Sequence, residues 1–196
     1  PPGLLGSVDD VTITCWFNWG GGSDWQRVYS FGNESPIRTI YLCPRDGWTG
    51  NNLHVTIGGP SGIWYDWNPN TIATDTWYFS ALVLKGDSCK FYLNDELWVN
   101  AGGVTLNPTD FAPDSANYLG KSHWPDPTFN GMIDDVHFYP EALTQEEIMA
   151  LLYTEPAKGM VAHWKMDDGA GTVVTDAAGG NNGTMVGLDP AAAWIT

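Results

Sequence analysis

Trp64 and Trp67 lie three residues apart and enclose Tyr65 and Asp66. The pairing of a flat aromatic with a polar neighbour recurs at Asp46-Gly47-Trp48 and at His123-Trp124-Pro125-Asp126. Indole faces stack on the apolar side of sugar rings, and nearby Asp, Asn and His can bond the ring hydroxyls. Trp48, Trp64, Trp67, Trp124 and Asp66 are therefore the candidate ligand-binding residues. The same aromatics would serve as plugs for the ends of a β-sandwich or as anchors in a protein interface. Both readings stand at the level of sequence. A second chemistry-bearing group is the acidic pair Asp134-Asp135. It sits in an alternating stretch, where successive side chains face opposite ways, so the two are not expected to act as a catalytic dyad. One of them is available as a calcium ligand, since calcium gathers six to eight hard oxygens from carboxylates, amides and carbonyls.

Other chemistries find little support. No Gly-x-Ser-x-Gly elbow and no lysine-bearing phosphate loop occurs. His54, His123, His137 and His163 are scattered and read as structural, and no Cys/His cluster has zinc spacing. Cys15, Cys43 and Cys89 allow at most one disulfide. The net charge of −15, with 8 Lys and Arg, repels nucleic acid and anionic membranes. It suits a secreted or cation-binding protein, or a well-solvated surface. No run approaches the roughly 18 apolar residues of a membrane helix.

The elements that must position these residues are mostly strands. Residues 11–17 alternate, with Val11, Ile13, Cys15 and Phe17 on one side and Thr12, Thr14 and Trp16 on the other. Further strands are expected at 27–31, 37–43, 52–57 and 117–120, with turns at Asp46-Gly47 and Gly58-Gly59-Pro60. Residues 77–84 are apolar on both faces, as in a central sandwich strand. Residues 90–99 read as a hairpin turning at Asn94-Asp95. Residues 131–139 form a strand that leads into a helix. There Thr144 and Glu147 make a capping box, Leu143 and Ile148 fit a hydrophobic staple, and Ile148, Leu151 and Leu152 supply one apolar face.

The string Gly131-Met-Ile-Asp-Asp-Val-His-Phe-Tyr139, followed by Ala142-Leu-Thr-Gln-Glu-Glu-Ile148, resembles the closing segment of laminin G-like jelly rolls of the concanavalin A-like lectin and glucanase superfamily. The strand at 11–17 is similar to an early strand of that family, and the resemblance implies that Trp16 and Trp77 are core aromatics. It implies no such core role for Trp19, Trp25, Trp48, Trp64, Trp67, Trp98 or Trp124. It also implies an all-β sandwich of two antiparallel sheets with one short C-terminal helix. The order of segments is permuted. Residues 1–153 resemble the body of the domain, 154–159 read as a linker, and 160–196 resemble its opening strands. That tail could begin a following repeat, complete its own body, or enter a neighbouring subunit and build a homo-polymer. In related jelly rolls a structural calcium joins the opening and closing segments. Carried onto this chain, its ligands would be Asp134, Asp176, Asn181 and Asn182, with turn capping as the simpler role for the same residues. The Glu-x-Asp-x-x-Glu strand of the related glucanases is absent, so no catalysis is expected. The resemblance points to a non-catalytic extracellular or cell-surface module that binds glycan or matrix. The alternative is a filament subunit assembled by strand exchange.

Overall fold

The computed structural model describes residues 2–153 and 161–194; the expected linker lies outside the described residues. The strands are β1 (Val11–Trp19), β2 (Tyr29–Glu34), β3 (Ile37–Cys43), β4 (His54–Gly58), β5 (Trp64–Trp67), β6 (Trp77–Lys85), β7 (Ser88–Leu93), β8 (Glu96–Gly102), β9 (Tyr118–Leu119), β10 (Gly131–Tyr139), β11 (Ala162–Trp164), β12 (Val173–Val174) and β13 (Gly183–Thr184). Helix α1 spans Gln145–Tyr153. One sheet has the order β11-β10-β1-β6-β7-β8 and the other β5-β4-β3-β2-β9, with β12 and β13 forming a small ribbon. The pairings within both sheets are antiparallel. This is the expected two-sheet jelly-roll sandwich.

The main core lies between the sheets. Ile13, Phe17, Leu82, Leu84 and Phe91 of one sheet meet Phe31, Ile40, Leu42, Val55 and Ile57 of the other. Burying these faces is the dominant stabilising contribution, at about 25 cal/mol per Å² of apolar surface. The outer face of the larger sheet is covered separately. Phe79, Ala81, Val83 and Tyr92 pack under Ile148 of α1, with Trp16, Leu143, Leu151 and Leu152 at the margin. Trp16 therefore packs beneath the helix, its ring 5.5 Å from Phe79, and not between the sheets. Trp77 departs from its expected core role and is 41% exposed at the start of β6. The three cysteines are buried and unpaired, and burial pushes the Cys15 and Cys89 thiols up to about 12, so both stay protonated and inert.

The helix starts where its cap residues dictate. The Thr144 N–H donates to Glu147 Oε2 at 2.8 Å, and the Glu147 N–H donates to Thr144 Oγ1 at 3.3 Å. This reciprocal pair satisfies two of the donors that a helix start leaves open.

Strand β10 breaks the expected alternation. Thr14 pairs with His137 but Trp16 pairs with Asp134, so β10 carries an extra residue at this point. Ile133, Val136 and Phe138 all reach the main core. Positions 133 and 136 can share a face only if two residues between them bulge outward, and Asp135 takes φ 44° to do so. Asp134 and Asp135 thus both leave the core face, contrary to the strict alternation expected from the sequence.

On the far side of β10, β11 pairs through Val136–Trp164, His137–His163 and Phe138–Ala162. The tail strand thereby extends the larger sheet of the same chain.

Two outcomes follow. Thr144→Ala should lower unfolding free energy by about 1 kcal/mol in urea titrations, whereas Ile148→Ala should cost about 2–5 kcal/mol by emptying the space under α1. A chain whose β11 stays on its own β10 should scatter light as a 21.4 kDa particle at every concentration; larger species that vanish on removal of 160–196 would instead indicate exchange between subunits.

Candidate carbohydrate-binding face

Alternation in β3, β4 and β5 divides their side chains between the core and the opposite face. Ile40, Leu42, Val55 and Ile57 turn inward. Tyr41, His54, Thr56 and Asp66 turn the other way, where Thr56 is the cross-strand partner of both Tyr41 and Asp66. Trp64 lies opposite Gly58, and a Cβ built on Gly58 would fall 2.2 Å from the Trp64 ring. Glycine at this position lets the indole lie across the strand.

Loops bring further rings to the same face. The contacts run without a break from Trp48 to Trp25 (4.5 Å between centroids), Trp25 to His54 (5.6 Å), His54 to Tyr41 (5.6 Å), Tyr41 to Trp124 (6.1 Å) and Trp124 to Trp64 (6.2 Å). The Arg27 guanidinium lies 4.0 Å from the Tyr41 ring centroid and is paired with Asp126 at 3.3 Å. Trp48 is 75% exposed and Trp64 43% exposed, whereas Arg27 is buried. The strip therefore exposes the Trp48 and Trp64 indoles to solvent and keeps its cation buried among the rings.

Asp46 organises one end. Its Oδ1 accepts the Trp48 and Thr49 N–H groups, and its Oδ2 accepts the Thr49 hydroxyl at 2.6 Å. This Asx-type turn presents Trp48. His54 stands between two carboxylates, with Nδ1 3.3 Å from Asp46 Oδ2 and Nε2 3.0 Å from Asp66 Oδ1. Asp66 also accepts the Thr56 hydroxyl at 2.6 Å. Burial works to raise both carboxyls, but these hydrogen bonds outweigh it and hold each below its ordinary value of 3.8.

Trp48, Trp64, Trp124 and Asp66 are thus assembled on one face. Trp67 is not among them. It pairs with Val55, packs against the main core and stacks on Tyr65 at 6.1 Å. Its edge joins Asn68, Trp98 and Asn100 around a shallow pocket at the sandwich rim. Trp25, Tyr41, His54 and Asp46 belong to the face but were not among the sequence candidates. For Tyr41 and His54 the signal was the alternation of 39–43 and 54–57, which places both away from the core, whereas Trp25 and Asp46 lie in loops.

The expected calcium ligands are engaged otherwise. Asp176 Oδ1 accepts the His163 and Ala178 N–H groups, and Oδ2 accepts those of Gly180 and Asn181. Four N–H donors occupy the lone pairs that a calcium ion would require. Asn182 Oδ1 accepts the Asp176 N–H, and the Asn181 side-chain amide donates to the Val161 carbonyl. Asp134 Oδ1 accepts the Asp135 N–H, while burial and then the neighbouring Asp135 charge push its carboxyl up. The set does not fit calcium. Asp176, Asn181 and Asn182 instead fasten the tail loop by side-chain to backbone bonds, which is the turn-capping role.

Lowered folded-state pKa values contribute stability that is complete above the unfolded value and is lost as pH falls through the folded one. Near-UV tryptophan dichroism from this face should therefore stay constant from neutral pH to about 4 and decline below 3.8 as Asp46 and Asp66 take up protons.

Comparison with known proteins is consistent with this architecture. A laminin G-type model of the concanavalin A-like lectin/glucanases superfamily matches residues 1–149. A search of curated proteins found no match. Among solved structures, domain 4 of AbnA, an extracellular GH43 arabinanase from Geobacillus stearothermophilus in complex with arabinotriose, is 28% identical with a TM-score of 0.63, over 78% of this chain and 70% of that one. A putative carbohydrate binding protein from Bacteroides ovatus is 21% identical with a TM-score of 0.69 over 90% of this chain, which spans about half (52%) of that protein. The CBM40 domain of Ruminococcus gnavus IT-sialidase, bound to α2,3-sialyllactose, is 17% identical with a TM-score of 0.63, covering 76% of this chain and 85% of that one. At these last two identities the likeness is one of fold.

Proposed function

The chain belongs to the concanavalin A-like lectin/glucanases superfamily, and from that premise we propose that it is a non-catalytic extracellular module that binds a neutral glycan. The observation that carries this reading is the unbroken aromatic strip from Trp48 to Trp64, with exposed indoles beside the Asp46–His54–Asp66 array. Exposed indoles gain by covering the apolar face of a pyranose or furanose ring. Asp66, whose side chain is 39% exposed, lies alongside to bond hydroxyls, held there by the buried His54 and Thr56. The arabinotriose complex of the 28% identical arabinanase domain supports a glycan as the ligand class, and that enzyme's extracellular setting supports the location.

Electrostatics favours a neutral sugar. The chain carries a net charge of −15, and Asp46 and Asp66 are ionised at neutral pH. An anionic sugar would meet repulsion there. The same ionisation argues for binding and against hydrolysis. Glycoside cleavage requires one carboxyl held protonated near neutral pH, and Asp46 and Asp66 are both shifted the opposite way.

Calorimetric titration with arabino-oligosaccharides, then with other neutral oligosaccharides, tests the proposal. Trp48→Ala and Trp64→Ala should each weaken binding at least tenfold, about 1.4 kcal/mol, while shifting the unfolding free energy by no more than about 0.5 kcal/mol. Trp67→Ala should do the reverse, costing stability and sparing affinity. Undiminished affinity in both Trp48→Ala and Trp64→Ala would overturn the assignment.

A further inference from the structure

His137 and His163 are far apart in sequence, yet the β10–β11 pairing sets them directly opposite each other. Their rings lie 4.0 Å apart, centroid to centroid, on the outer side of the larger sheet. Both are at least nine-tenths buried. The bulge in β10 turns Asp135 toward the pair, and its Oδ1 lies 3.0 Å from His163 Nε2. One nitrogen of each histidine and one oxygen of Asp135 fall within 4.8 Å of one another.

The bonding of His137 indicates how the pair is used. Its Nδ1 is 3.1 Å from the Thr14 hydroxyl, while its Nε2 is buried with no hydrogen-bond partner among the described residues. A buried polar atom without a partner is costly. Fixing one imidazole nitrogen by an outer hydrogen bond, and leaving the other bare, is the arrangement of a metal-ligating histidine.

We propose that Asp135, His137 and His163 form a site for a divalent transition metal of the zinc class. Two imidazoles and one carboxylate suit that class, whereas calcium and magnesium call for oxygen ligands. Side-chain rotation must bring the three atoms, now within 4.8 Å of one another, to the roughly 3.4 Å spacing set by tetrahedral bonds of about 2.0–2.2 Å, which Asp135 Oδ1 and His163 Nε2 at 3.0 Å already approach. The three ligands leave a fourth position for water or an external group. The bound ion would cross-link β10 to β11, whose pairing spans only three residue pairs, and so pin the tail segment to the body.

Zinc(II) titrated calorimetrically into the metal-free full chain, with thermal unfolding followed in parallel, tests this site. One ion per chain and a raised Tm are expected, with no comparable response to calcium. Affinity should fall at least tenfold in His163→Gln and in Asp135→Asn, the lower bound of what losing even an outer-shell partner costs. Circular dichroism without metal verifies folding of each variant. Should His163→Gln fail to fold, Asp135→Asn decides, since that side chain is 45% exposed and stands off the core. Absence of zinc binding by the native chain, or unchanged affinity in Asp135→Asn, would overturn the proposal.

Discussion

Burial of Ile40, Leu42, Val55 and Ile57 between the sheets commits Tyr41, His54 and Thr56 to the opposite face. Side chains alternate with a period of two, so a slip of one residue in β3 or β4 would bury the polar set and expose the core set. The apolar burial that holds the sandwich together therefore also fixes which residues can meet a ligand. The loops then add to a face whose centre is already determined. Trp25, Trp48 and Trp124 come from turns, but each touches a ring that a strand has placed.

Charge plays a supporting part in the same design. Asp46 is fully buried, and it is tolerated there because the hydroxyl of Thr49, two backbone N–H groups and His54 satisfy it. In return it shapes the Trp48 turn and orients His54 toward Asp66. Arg27 is likewise buried under aromatic rings, with Asp126 as its ion-pair partner. These groups build the floor of the face. The exposed indoles and the open side of Asp66 are what a ligand would touch.

Much of the fold was legible in the chain, and the reason is local. Strand β3 begins and ends where its alternation does, and the Thr144–Glu147 capping box is formed by residues three positions apart. The tryptophans of the face were partly legible, because Trp48, Trp64 and Trp124 sit among turn and polar residues. Trp67 was misplaced because no strand was expected at 64–67, whereas these residues form strand β5 at the sheet edge. On a strand, residues three apart face opposite ways, so Trp64 and Trp67 had to separate. The His54 array could not be read from spacing alone, since it joins a loop residue, a strand and its neighbouring strand through the register. The β10 bulge was equally hidden. It depends on an extra residue in the pairing with β1, and it turned Asp135 outward to His163.

The central claim is that one face of the smaller sheet is the recognition surface. Indole N–H resonances of the tryptophans, assigned and followed by nuclear magnetic resonance during addition of a bound neutral oligosaccharide, address it directly. The strip from Trp48 to Trp64 requires that the signals of Trp25, Trp48, Trp64 and Trp124 move together and saturably, while those of Trp67 and Trp98 stay in place. Movement confined to Trp67 and Trp98, in the rim pocket that adjoins the face at Asp66, would contradict it and shift recognition to the edge of the sandwich.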